Sequence, residues 1–131
     1  MGKKYAISDI HGCSRTLRQL VQKTIRFTRN DTLFLLGDYV NKGPDSKGVL
    51  DFIFELQASG HHVICLKGNH DQYLIDALHE TKMISEFLAH GGMATLDSFG
   101  VNSVNEIPAQ YLNFLQELTL YHELEKLLLV H

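Results

Sequence analysis

At 131 residues, with 44% hydrophobic and 21% charged side chains, the chain has the make-up of one globular domain, not of a disordered segment or a membrane protein. A formal net charge of −3 without any Lys/Arg run argues against a phosphate-backbone stripe, so no nucleic-acid partner is expected. The two cysteines form no spaced framework, the apolar runs at 33–36 and 127–130 are far too short to cross a bilayer, and Met1-Gly2-Lys3-Lys4 leads into no signal-like stretch. A cytoplasmic location with no membrane partner is the default expectation.

In chain order, residues 5–8 read as a first buried strand, bounded by polar turn residues. A helix follows from Ser14, with Leu17, Leu20, Val21 and Ile25 at helical spacing. Residues 32–36 read as a second buried strand. A second helix from Ser46 carries Val49, Leu50, Ile53, Phe54 and Leu56 and stops at Gly60. Residues 63–66 read as a third strand. Strand, helix, strand, helix, strand predicts a parallel sheet with right-handed crossovers, flanked by helices. Beyond it, Tyr73, Leu74, Ala77 and Leu78 mark one helical face, and Ile84, Phe87 and Leu88 another. Pro108 opens a further helix with Tyr111, Leu112 and Leu115, and residues 120–124 and 127–130 read as two strands around Glu125-Lys126. The last strand has the apolar run of a core strand, which predicts either a fragment or pairing with another chain, and so an oligomer through this strand.

Each of the three parallel strands ends in a loop rich in metal-ligand types: Asp9-Ile10-His11-Gly12, then residues 37–43 (Gly-Asp-Tyr-Val-Asn-Lys-Gly), then Gly68-Asn69-His70-Asp71. Ligands of open parallel sheets gather at the carboxyl ends of strands, so the three loops are expected to meet at one rim. Singly each loop is an ordinary turn, and Gly-Asn-His-Asp alone reads as a helix cap. Together, about thirty residues apart, they read as a cation site. Carboxylate, imidazole and amide oxygen suit Mn, Fe or Zn. A pair of such ions, bridged by a carboxylate such as Asp38, catalyses in-line attack of water on phosphorus.

These loops resemble the signature of the calcineurin-like phosphoesterases, and more narrowly of the PPP branch. Where that family has GDxHG, GDxVDRG and GNHE, this chain has SDIHG, GDYVNKG and GNHD, a match running over residues 5–71. It continues more loosely through residues 87–92 and 95–98, and residues 127–131 resemble the strand before the family's HGG or HAG motif. The resemblance implies an α/β/β/α metallophosphoesterase sandwich, with residues 1–131 as a single domain truncated at its C-terminus. It places Asp9 and His11 on a first divalent metal ion, Asp38 as the bridge, and Asn69 and His131 on a second, with manganese the expected ion in assay. His70 takes the role of the acid that protonates the leaving alcohol. Asn41 stands where His70 has an acidic partner, and Lys42 stands where an Arg clamps the phosphate, which Asn69 also touches. The implied activity is hydrolysis of phosphomonoesters, foremost phosphoserine or phosphothreonine in a protein partner. The alternative is a dinucleoside polyphosphate hydrolase, or a catalytically weak relative that binds phosphate or protein.

Two departures touch this chemistry. Asn41 offers His70 no negative charge, and Lys42 offers a point charge in place of a two-pronged grip. The family's second metal-binding His and second clamping Arg have no counterpart, so the second metal lacks a ligand. Cys13 and Cys65 are expected to pack, His61, His62, His79 and His122 to be solvated, and His90 to lie near the loops or to serve structure alone.

Overall fold

The computed structural model describes residues 2–131. Strands β1 (Lys4–Ile7), β2 (Thr32–Leu35) and β3 (His62–Cys65) form a parallel sheet in the order β1-β2-β3. The register sets Ile7, Leu35 and Cys65 side by side. All three strands therefore end at one level, and the three ligand-rich loops leave the sheet along one rim.

Only the central strand has a buried run, with Leu33, Phe34 and Leu35 at 0–3% exposure. β1 and β3 alternate or lie half-exposed, which corrects the expectation of three buried strands. β2 alone has a neighbour on each edge, so only its side chains are covered on every side. Leu33 and Leu35 face the main core with Leu17, Val21, Val49, Leu50 and Ile53 from the two crossover helices. The first of these, α1, covers Ser14–Gln19 and runs on as a π-turn over Leu20–Thr24, closed by Ile25 N–H donating to Leu20 O at 2.9 Å. The second, α2, spans Ser46–Ala58. Asp45 caps it by accepting from Gly48 N at 2.9 Å, which satisfies one of the open amides of its first turn.

Helices α3 (Asn69–His79), α4 (Ile84–Ala89), α5 (Gly92–Phe99) and α6 (Ala109–Gln116) complete the flank. On α4 only Phe87 is buried, while Ile84 and Leu88 are 40% and 38% exposed, so the expected apolar face is narrower than it reads. Phe87 lies against the bare Cα of Gly92, where a Cβ would sit 2.5 Å from the ring. α6 begins after Pro108 and buries Tyr111 and Leu115.

β4 (Tyr121–Leu124) and β5 (Leu127–Val130) form an antiparallel hairpin, joined to the main sheet where Lys67 N donates to Thr119 O at 2.8 Å. The His122 ring packs 5.4 Å from Phe34, on the sheet face opposite the main core, so His122 is half-buried instead of solvated. Leu127, Leu128 and Val130 are more than half exposed and do not form a core strand. No helix among the described residues is long and apolar enough to cross a membrane.

Candidate metal centre

The backbone of the first two loops is bent into a conformation that side chains usually avoid. Asp9, His11, Asp38, Asn41 and Lys42 all have φ between 42° and 73°. Left-handed backbone is unfavourable for residues with a Cβ and gathers at functional sites, where surrounding contacts hold it. Those contacts are visible here. His11 N donates to Asp38 O at 2.8 Å, Gly12 N to Tyr39 O at 2.9 Å, and Lys42 N to Gly91 O at 3.0 Å. Gly68 approaches so closely that a Cβ would collide with the carboxylate and amide of Asp38.

Asp71 ties the second loop to the third, and sequence reading missed it as more than a cap. It is fully buried and accepts from Asp38 N at 2.8 Å, Tyr39 N at 3.0 Å and Gly68 N at 2.9 Å. Burial pushes its carboxyl up to about 6, against the three amides that favour the anion. Its only signal in the sequence is an acidic residue in the first turn of α3.

The structure brings the candidate ligands together. His11 Nε2 lies 3.5 Å from Asp38 Oδ2, and His131 Nε2 lies 3.2 Å from the same oxygen. His131 also faces Asn69 Oδ1 at 2.9 Å and comes within 3.9 Å of Asp9 Oδ1. Two groups, His11 with Asp38 and His70, and Asp9 with Asp38 and His131, each bring three donor atoms within 4.8 Å of one another. Asp38 belongs to both.

The ring orientations test whether a cation fits. His11 Nδ1 donates to Val40 O and His131 Nδ1 to Leu36 O, each at 2.9 Å. Each ring therefore turns the lone pair of Nε2 toward Asp38. An acceptor nitrogen aimed at acceptor oxygens is relieved by positive charge between them, supplied by a proton or by a metal ion. The mixed nitrogen and oxygen set fits borderline divalent ions. Asn69 and His131 are exposed on this side, whereas Asp38 is 4% exposed.

His70 is buried beside this group, its ring 4.6 Å from that of His11. Its backbone N donates to Asp38 Oδ1 at 2.9 Å, and its Nδ1 lies 3.3 Å from Asn41 Nδ2. Burial lowers its pKa, with Asp38 opposing. Asn41 thus lies against His70, with its amide nitrogen, not its oxygen, facing the ring. Lys42 is exposed on the same loop. His90 does lie nearby, stacked on Tyr73 at 4.3 Å and 5.8 Å from His70. Cys13 is exposed, its thiol 3.6 Å from His11 O, and so is not packed as expected. Cys65 is partly buried against the core, and burial raises its thiol to about 12.

The calcineurin-like phosphoesterase model matches residues 3–131, and the chain belongs to that family. It is 34% identical over 82 residues to a symmetrical bis(5'-nucleosyl)-tetraphosphatase of Pseudomonas putida, covering 63% of this chain and 27% of that protein. A protein of the same name from Nitrosospira multiformis is 46% identical over 72 residues, covering 54% of this chain and 25% of that one. The chain thus spans about a quarter of the length of these curated relatives. Two solved structures share the fold. One, provisionally described as a diadenosine tetraphosphatase, has a TM-score of 0.70 at 23% identity, over 99% of this chain and 54% of that one. The other, a metallophosphoesterase from Sphaerobacter thermophilus, has a TM-score of 0.59 at 22% identity, over 92% and 42%.

Proposed function

We propose that this chain carries the metal-binding part of a hydrolase that splits dinucleoside polyphosphates. The observation that carries the reading is the convergence of Asp9, His11, Asn69 and His131 around Asp38, with His70 beside them. The curated relatives named as symmetrical tetraphosphatases support the substrate class, and they favour it over the phosphoprotein that the motif resemblance put first.

The resemblance would put Asp9, His11 and Asp38 on one divalent ion and Asp38, Asn69 and His131 on a second, and the structure brings Asp9 within reach of His131 as well. Bound there, manganese, iron or zinc would polarise the phosphoryl oxygens and acidify the attacking water. The residues of the chain do the rest. Lys42 meets a phosphate oxygen as a point charge, and the Asn69 amide orients another. His70 stands by the leaving oxygen as hydrogen-bond donor. Asp71 takes no part in the reaction but fixes the distance between the two loops.

The test is manganese titration by calorimetry, followed by hydrolysis of diadenosine tetraphosphate and of a phosphoserine peptide under saturating manganese. The expected result is binding, turnover of the dinucleotide above that of the peptide, and loss of both binding and turnover in Asp38→Asn. Absence of manganese binding would sink the centre itself. Turnover of the peptide alone would restore the phosphoprotein reading.

A further inference from the structure

We infer that Thr95 sets the tautomer of His70 through Asn41, holding the neutral ring with its proton on Nε2 and so fitting the site to weakly basic leaving groups. The inference rests on the reading of His70 as the residue at the leaving oxygen.

Asn41, Thr95 and Ser46 are all 0% exposed, so no solvent competes for their hydrogen bonds. Thr95 grips Asn41 at two points. Its Oγ1 accepts from Asn41 N at 2.8 Å and donates to Asn41 Oδ1 at 2.8 Å. This orientation leaves Asn41 Nδ2 facing His70 Nδ1 at 3.3 Å. An amide nitrogen donates and cannot accept, so Nδ1 must be the bare nitrogen and Nε2 the protonated one.

The reverse amide orientation leaves one more buried proton unpaired. Asn41 Nδ2 would then donate to Thr95 Oγ1, and the Thr95 proton would turn to Ser46 Oγ at 3.3 Å. The Ser46 hydroxyl proton would be left without an acceptor in a buried place, which native interiors avoid. In the orientation described, protons pass in one direction from Ser46 to Thr95, to Asn41, to His70, and both hydroxyl protons find an acceptor. Thr95 thus acts on the ring through Asn41, a residue fifty-four positions away from it in sequence. It is a positioning residue, since it touches neither substrate nor the metal-ligand atoms.

The consequence is chemical. A carboxylate at position 41 would draw a proton onto Nδ1, and Nε2 would carry one only when the ring is cationic. With Asn41 the neutral ring already presents N–H at Nε2. Such a donor hydrogen-bonds a leaving oxygen but gives up its proton poorly. In hydrolysis of a phosphoanhydride, the water oxygen forms the new bond to phosphorus and the bridging P–O bond breaks. Its electron pair stays on the leaving phosphate, one water proton goes to solvent, and the ring keeps its own. A leaving alkoxide, far more basic, needs the proton itself. The Asn41–Thr95 clamp therefore selects anhydrides and aryl esters over serine esters.

The experiment is long-range ¹H–¹⁵N correlation NMR on the metal-free chain, at about pH 8, above the ordinary imidazole pKa. The expected result is a pyrrole-like shift at Nε2 of His70 and a pyridine-like shift at Nδ1. Thr95→Val should move both shifts toward the average of mixed tautomers, Thr95→Ser should restore the wild-type pattern, and Asn41→Asp should move the proton to Nδ1. A proton on Nδ1 in the wild-type chain overturns the inference, as does an unchanged pattern in Thr95→Val. Should Thr95→Val fail to fold, Thr95→Ala takes its place, with the same expected and refuting shifts. Manganese calorimetry on the same samples separates the two readings: binding with the wrong tautomer leaves the proposed centre standing and removes only the clamp.

Discussion

Replacing Asp71 by Ala isolates the contact that holds the metal-binding loops together. The carboxylate accepts three buried amides, from Asp38, Tyr39 and Gly68, at 2.8–3.0 Å. Each orphaned amide costs about 1–3 kcal/mol, so the gross loss is roughly 3–9 kcal/mol. Two effects offset it. Removing a carboxylate that burial pushes up to about 6 relieves roughly 3 kcal/mol of charge burial near neutral pH. Water entering the vacated space can also bond one of the amides. We expect a net destabilisation of about 2–4 kcal/mol, read by urea unfolding at pH 7. Asp71→Asn should lose less, because its oxygen can still serve two of the amides. In both variants manganese should bind about tenfold or more weakly, since the Asp38 backbone is no longer pinned to Gly68. A change below about 1 kcal/mol would refute the accounting of orphaned amides. A large loss of stability with unchanged manganese affinity would refute the claim that Asp71 shapes the site.

The remaining expectations concern neighbouring features. Gly68→Ala should abolish manganese binding or prevent folding, because its Cβ collides with Asp38. Gly100→Ala, at φ +67° with nothing within 4 Å, should lose only about 1 kcal/mol, read by the same unfolding assay. Asp45 is held below the ordinary carboxylate range, first by the Ser14 hydroxyl at 2.6 Å and then by Gly48 N. A depressed carboxylate stabilises the fold above its unfolded pKa and loses that contribution as pH falls through the folded one. Asp45→Asn should therefore lower stability by about 1 kcal/mol at pH 7 and match the wild type at about pH 2, and equal differences at both pH values would contradict the assignment. Asn41→Asp should raise turnover of alkyl phosphates by about 10- to 100-fold, with little change for p-nitrophenyl phosphate, and an equal gain on both would refute the leaving-group argument.

Much of the site was legible in the sequence because its parts are local. Strand, tight turn and ligand lie within a few residues of each other in Asp9-Ile10-His11, Gly37-Asp38 and Gly68-Asn69-His70. Parallel strands in a common register then bring the three turns to one rim, so the meeting of these residues follows from periodicity and spacing. The hairpin and its turn were legible for the same reason, as was the helix after Pro108.

What the tertiary structure decided depends on contacts between distant segments. No local pattern marks Asp71 as the carboxylate under three amides, or Thr95 as the clamp on Asn41. The burial of His122, the exposure of Cys13 and the narrow apolar face of α4 likewise follow from what packs over each residue. Side-chain type and spacing determine which turn forms and which ligands it carries. Which nitrogen faces which oxygen, and which proton is left over, is settled only when every buried donor must find its acceptor in the folded chain.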